Sequence, residues 1–209
     1  MRYAGREEAG RQLARSVRHL RDAQPVVLAL PRGGIPVARE VARELDAPLD
    51  VLVVRKLGVP WQPELAMGAI AEGGARILNA DVLRRGRIDD ESVARVEDRE
   101  RIELDRRARL LRDDRARIPI TDRTVVLVDD GLATGATAVA ACLAARAQGA
   151  ERIVVAVPVA SPDAIRRLLT VADDVICPVC PADQDSVGAA YTDFHQLTDS
   201  EAAELLKSP

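Results

Sequence analysis

Residues 125 to 137 read Val-Val-Leu-Val-Asp-Asp-Gly-Leu-Ala-Thr-Gly-Ala-Thr. Asp129 and Asp130 are adjacent carboxylates at the end of a short β-branched apolar block, the pattern of a buried parallel strand. A turn of small residues follows: Gly131, Leu132, Ala133, Thr134, Gly135, Ala136 and Thr137. The alanine-rich stretch 138–148 then reads as a helix, with Gly149 where a C-terminal cap sits. Strand, acidic pair, small hydroxyl-bearing loop and helix together present bare backbone N–H groups at a helix N-terminus. Such a site takes a phosphate without a cation. The carboxylates beside it accept hydrogen bonds from sugar hydroxyls or share a Mg²⁺ ion. The spacing points to a ligand that is phosphate and ribose together.

Two familiar phosphate loops are excluded. No Gly-Lys-Ser/Thr closes the turn, so it is not a Walker loop. Gly131 and Gly135 lack the G-x-G-x-x-G spacing of a Rossmann fingerprint. Two other loops carry chemistry. Pro31-Arg32-Gly33-Gly34 follows one strand and opens a helix: its glycines allow close backbone approach, and Arg32 grips phosphate bidentately. Arg55-Lys56-Leu57-Gly58 follows another strand. Lys56 is one of only two lysines, the other being Lys207. Cys177-Pro178-Val179-Cys180 has no second pair for a zinc site, and His19 and His195 lie far off, so it reads as two partly buried thiols. His195 reads as a surface or core histidine rather than an acid/base group.

The elements that must position these residues alternate. Helical spacing runs from Gly5 to Arg21 through Ala9, Leu13, Ala14, Val17 and Leu20. Strands are expected at 25–30, 49–54, 125–128, 152–157 and 174–177, with helices at 35–45, 89–115, 138–148 and 162–171. Residues 57–75 read as a flexible Gly- and Pro-containing loop, with 66–71 and 76–78 a hairpin around Glu72-Gly73-Gly74. Thr198 or Asp199 caps a short final helix. This order argues for one α/β domain over 1–209: a parallel twisted sheet with helices on both faces. Ligands bind such sheets at the C-terminal strand edge, near the point where strand order reverses. The loops after Leu30, Val54 and Val128 are expected to meet there.

Composition narrows the partners. A net charge of −3 with 30% charged residues gives no basic field for nucleic acid. No apolar run is long enough to span a membrane. Three cysteines and no apolar leader point to the cytoplasm. The helix at 89–115 has a seam of Val93, Val96, Leu104, Ala108 and Leu111. Glu91–Arg95, Glu97–Arg101, Glu103–Arg107 and Asp105–Arg109 stand four apart in the favourable order, the mark of a solvated or subunit-contact face.

The segment 125–137 resembles the phosphoribosyl pyrophosphate (PRPP) signature of type I phosphoribosyltransferases. The resemblance extends through Tyr3, Arg6 and Ala9-Gly10, the turn at 31–34, residues 55–58, the strand end at 156–160, and Val187-Gly188, Tyr191 and Asp193-Phe194. It covers essentially the whole chain and is similar to small bacterial phosphoribosyltransferases of unassigned base specificity. It implies the type I fold with a small hood at about 181–197, Mg²⁺ as cofactor, PRPP and a nitrogenous base as partners, and a homodimer. Asp129 and Asp130 would hold the ribose hydroxyls and the metal, and residues 131–137 the 5′-phosphate. Arg32, Gly33, Gly34, Arg55 and Lys56 would take the pyrophosphate. The loop from Val59 to Glu64, with Trp61, would close as a lid. Asp129, Asp130, Lys56 and Arg32 are the expected catalytic residues, and Val187, Gly188, Tyr191 and Phe194 the expected base-facing ones.

Two positions depart from the family. Ala133 stands where 6-oxopurine enzymes carry an aspartate that handles a base proton, which argues against that specificity and looks closer to the adenine type. Gln184-Asp185 stands where relatives offer a stacking phenylalanine, leaving Tyr191, Phe194 and Trp61 as aromatic candidates. These departures keep open a regulatory protein on the same fold that binds PRPP or nucleotides without turnover.

Overall fold

The computed structural model describes residues 2–113, 115–181 and 186–207. The chain runs α1 (Arg6–Val17), β1 (Val26–Ala29), α2 (Gly34–Leu45), β2 (Leu49–Val51), β3 (Val54–Val59), β4 (Gln62–Ala71) and β5 (Arg76–Leu78). It continues through α3 (Ala80–Gly86), α4 (Asp90–Arg112), β6 (Thr124–Val128), α5 (Ala136–Ala147), β7 (Arg152–Ala156), α6 (Pro162–Leu168), β8 (Asp174–Ile176) and α7 (Asp199–Lys207). Five strands make a parallel sheet in the order β2-β1-β6-β7-β8. Strand order reverses between β1 and β6, so the loops after those two strands flank the crevice. The register Ala29↔Val128↔Ala156 brings their ends level.

Side-chain alternation builds a core on each face of this sheet. Val27, Ala29, Val126, Val128 and Val154 pack with Leu13 and Val17 of α1, Val41 of α2, Leu104 of α4 and Leu206 of α7. Val26, Leu28, Val125, Leu127 and Val155 pack against Ala141 and Ala145 of α5 and Ala164 and Leu168 of α6. Both faces are covered, which is why the strands read as unbroken apolar runs.

The long loop expected at 57–75 is mostly strand. The chain leaves the parallel sheet after Val51 and enters a separate antiparallel sheet, β3-β4-β5. The expected hairpin between 66–71 and 76–78 is present, with Gly68 opposite Leu78. What the sequence hid is the pairing of β3 with β4, which turns 54–64 into a second hairpin around Pro60-Trp61. Leu57, Val59, Met67 and Ile70 are all buried, so this ribbon is anchored by its inward-facing residues. Arg55 and Lys56 lie within β3, and the third loop expected at the sheet edge does not form there.

The seam of α4 is as expected at Val93, Val96, Leu104 and Leu111, and Asp89 caps the helix by accepting from the Ser92 N–H at 2.7 Å. Glu91–Arg95, Glu97–Arg101 and Glu103–Arg107 pair at 2.7, 2.6 and 2.8 Å. Arg109 instead donates to the Asp105 carbonyl. The last turn holds an ion cluster that helical patterning conceals. Arg112, 6% exposed, donates from Nε to Asp50 at 2.8 Å, from Nη2 to the Val51 carbonyl at 2.6 Å, and from both terminal nitrogens to Glu72. Asp50 also accepts from the Ile118 N–H, and Glu72 from the Val53 N–H. Arg112 thereby ties the edge strand β2 to the β4–β5 turn at the junction of the two sheets. Removing one partner of a buried ion cluster leaves the others uncompensated. Arg112→Ala is expected to lower the unfolding free energy by about 3–5 kcal/mol, read as a fall in urea midpoint at pH 7. Adding Asp50→Asn and Glu72→Gln should restore part of that loss, and an unchanged midpoint in the single variant would refute the assignment.

Candidate functional site

β6 delivers Asp129 and Asp130 to the crevice, and the segment after it is fastened to the β7 side. The Leu132 N–H donates to the Val159 carbonyl and the Ser161 N–H to the Leu132 carbonyl, each at 3.0 Å. Ser161 Oγ donates to the Ala133 carbonyl at 2.7 Å. Gly135 then turns the chain into α5 with φ 72°, a left-handed conformation that a glycine adopts without strain. Gly135, the N-cap of α5, has no side chain to cap it, and the Ala136 N–H donates to Thr134 Oγ1 at 3.4 Å. Ala133, Thr134, Ala136 and Thr137 are exposed around that turn, so the N-terminus of α5 faces solvent.

The turn after β1 is interlocked with this acidic pair. The Pro31–Arg32 peptide is cis. A Cβ on Gly33 would overlap the Asp130 carboxylate, and one on Gly34 would lie 2.5 Å from the Val128 carbonyl oxygen and 2.9 Å from Asp129 Cα. The two loops touch through positions that only glycine can occupy. Arg32 reaches Asp199 at the start of α7, with Nη1 to Oδ1 at 3.3 Å.

Arg6, in the first turn of α1, completes the site. Its Nε donates to Asp130 Oδ2 at 2.7 Å and its Nη1 to the His195 carbonyl at 2.9 Å. Its guanidinium lies 4.0 Å from the centroid of the Phe194 ring. Phe194 also stacks on Tyr191 at 4.9 Å, and the Tyr191 hydroxyl donates to the Asp130 carbonyl. Tyr3 holds this C-terminal segment by exchanging backbone bonds with Ala190 and Thr192. Between the loops lies a cavity of about 490 Å³ lined by Arg6, Arg32, Gly33, Arg107, Asp130 and Phe194, among others. Three guanidinium groups face one carboxylate there, which suits an anionic ligand.

Asp129, Asp130, Arg32, Gly33, Gly34 and the small-residue turn are therefore brought together. Lys56 and Arg55 are not. Lys56 pairs with Glu64 across the hairpin, Nζ to Oε2 at 3.6 Å, and Arg55 is held by Glu100 of α4 at 2.9 Å from Nε. Neither lines the cavity. Trp61 is 65% exposed at the hairpin tip. Of the base-facing candidates, Val187 lies against Gly131 and Gly188 against Phe194, while Tyr191 is buried. Gln184 and Asp185 lie outside the described residues. Cys177 is half-buried, its thiol pushed up to about 11 by burial, and Cys180 is exposed. Among the described residues no group of three His, Cys, Asp or Glu side chains could cage a metal. Sequence reading missed two site residues, Arg6 as an Asp130 partner and Arg107. A cation in the first turn of a helix opposes the helix dipole, and that was the available signal for Arg6.

The chain matches the phosphoribosyl transferase domain model over residues 4–192, and it belongs to that family. Its α/β architecture is the type I phosphoribosyltransferase fold. Mycobacterium tuberculosis strains H37Rv and CDC 1551 each carry a relative named "putative phosphoribosyl transferase" that is 54% identical over 204 residues. Those matches cover 98% of this chain and 46% of each relative, so the chain spans about half the length of the curated relatives it matches. The crystal structure of TT1426 from Thermus thermophilus is 45% identical with a TM-score of 0.89, covering 99% of this chain and 98% of that one.

Burial first, and then the neighbouring Asp130, hold the Asp129 carboxyl well above the usual carboxylate range. Burial also raises Asp130, against the pull of Arg6. A carboxyl raised in the folded state binds its proton more readily folded than unfolded. Its ionisation therefore costs stability as pH climbs from the unfolded-state value of 3.8 toward the folded one. Asp129→Asn removes that cost. Without divalent cations, the variant should unfold at higher urea than the wild type at pH 7. The gap should close near pH ~3. A wild type as stable as the variant at pH 7 would contradict the strain assigned to Asp129.

Proposed function

We propose that this domain transfers phosphoribose from PRPP to a nitrogenous base and releases pyrophosphate. The observation that carries the reading is the interlock of two loops in one crevice. The Pro31–Gly34 turn touches the Asp129–Asp130 pair at positions closed to any side chain, with the exposed start of α5 continuing from the same loop. A phosphate at the start of α5 fixes the ribose 5′ end. Asp129 and Asp130 accept from the ribose hydroxyls, and the turn at 32–34 meets the pyrophosphate.

The donor set suits Mg²⁺. The carboxylates are hard oxygen ligands, each with one oxygen already engaged, Asp129 Oδ1 by the Asp130 N–H and Asp130 Oδ2 by Arg6. Magnesium takes one or two carboxylates and completes its shell with water and substrate oxygens. When bound it would neutralise charge on the diphosphate. The remaining work falls to the chain's own groups. They hold donor and acceptor in line while a base nitrogen bonds to C1′ and the C1′–O bond to pyrophosphate breaks, its electron pair leaving with the diphosphate. Arg6 keeps Asp130 oriented, and Arg32 offsets the charge that develops on the leaving group. On this reading the protein works in the cytoplasm as a homodimer with no nucleic-acid partner. No described helix is long and apolar enough to cross a membrane.

A second reading is a regulatory protein that binds PRPP or a nucleotide without turnover. It is favoured by the acceptor side: Phe194 is flanked by Tyr191 and Arg6, and Ala133 brings no proton-transfer group. Asp129→Asn with Asp130→Asn should abolish PRPP binding in calorimetry with Mg²⁺ present, and an unchanged affinity would sink both readings. Pyrophosphate release with at least one member of a base panel selects the enzyme. Saturable PRPP binding with no turnover on any base selects the sensor.

A further inference from the structure

The charged helix α4 contributes to the crevice as well as to the surface. Arg107 lines the same cavity as Arg32 and Arg6. Its link to Glu103 runs through Nε at 2.8 Å, and its two terminal nitrogens have no hydrogen-bond partner among the described residues. The preceding residue, Arg106, faces α7 and donates from Nη2 to Asp199 Oδ2 at 3.3 Å. The other oxygen of that carboxylate, Oδ1, takes Arg32 Nη1 at the same distance. Asp199 thus bridges a guanidinium of the β1–α2 turn and one of α4, with 22% of its side chain exposed. Two oxygens spanning two guanidinium groups beside an arginine-lined cavity is the arrangement that a phosphoryl group makes with arginines. Asp199 is not needed as the helix cap. Thr198 Oγ1 accepts from the Glu201 N–H at 3.2 Å, and Glu201 Oε2 accepts from the Thr198 N–H at 2.7 Å, a reciprocal capping box.

We infer that Asp199 is an internal stand-in for a diphosphate, that a diphosphate group displaces it from Arg32 and Arg106, and that Arg107 then becomes a direct ligand of that group. The inference rests on the phosphoribosyltransferase reading and deepens it, because it assigns α4 and α7 to the leaving-group side of the site. Each arriving diphosphate must compete with a tethered carboxylate, so the first helical residue of α7 sets the affinity for pyrophosphate and for the donor that carries it. It leaves the 5′-phosphate end untouched, since residues 131–137 take no part in the Asp199 bridge.

Calorimetry on the full chain with inorganic pyrophosphate and Mg²⁺, beside a parallel titration with ribose 5-phosphate, separates the parts. Arg107→Ala should weaken pyrophosphate about tenfold, the loss of roughly one charge-assisted bond. Arg107→Lys should recover part of that loss. Asp199→Asn, which keeps the shape and removes the competing charge, should tighten pyrophosphate about three- to tenfold. All three variants should bind ribose 5-phosphate within about twofold of wild type and unfold at unchanged temperature, since the pairs involved are partly solvated. Pyrophosphate affinity unaffected by Arg107→Ala, or unchanged or weakened by Asp199→Asn, overturns the inference while leaving the transferase reading intact. A wild-type protein that binds neither pyrophosphate nor PRPP overturns both.

Discussion

Two like charges side by side at the end of a buried strand are the constraint around which this molecule is arranged. Asp129 and Asp130 emerge from a sheet covered on both faces, where desolvation opposes the ionisation of both and Asp130 further opposes that of Asp129. The protein manages this with Arg6. That side chain comes from the first helix, pairs with Asp130, lies over Phe194 and holds the His195 carbonyl. One cation therefore joins the beginning of the chain, its central signature and its C-terminal segment. Two carboxyls whose ionisation is opposed favour ligands that bring compensating donors or a cation, such as hydroxyls or magnesium.

The second organising feature is the junction between the two sheets. The parallel sheet carries the loops at 31–34 and 129–135, while the antiparallel ribbon β3-β4-β5 leaves from its edge after β2. Arg112 crosses that junction, satisfying carboxylates from both sides with backbone N–H groups sharing the load. A charge buried this deeply orients elements more than it adds stability, because an apolar replacement of matched shape would serve packing as well. Beyond that junction, the pairing of β3 with β4 and the partners Glu100 and Glu64 hold Arg55 and Lys56 away from the cavity.

The side of the crevice formed by the N- and C-terminal segments is aromatic. Its aromatic residues, Tyr3, Tyr191 and Phe194, are used to hold the C-terminal segment against α1, and Arg6 covers the outermost ring. The cavity nearby is arginine-rich: Arg107 of α4 lines it with Arg6 and Arg32, and Asp199 of α7 pairs with Arg32 and Arg106.

Local patterning made most elements legible. The strands of the parallel sheet are continuous β-branched blocks, and α1, α2 and α4 carry apolar residues at helical spacing, so neither reading depends on distant partners. The signature loop was legible for a related reason: strand, acidic pair, glycine turn and helix N-terminus are contiguous, and their chemistry follows from order along the chain. The pairing of β3 with β4 was not legible, because Gly58, Pro60 and Pro63 look like loop punctuation until Leu57 and Val59 find a core to face. Nor were Arg6, Arg107, Arg112 and Asp199 legible as site or junction residues. In a chain with 30 basic and 33 acidic side chains, local spacing offers each of them several equally good partners. Only the folded chain chooses among those partners, because burial at Asp130 and at the sheet junction makes one pairing far less costly than the rest.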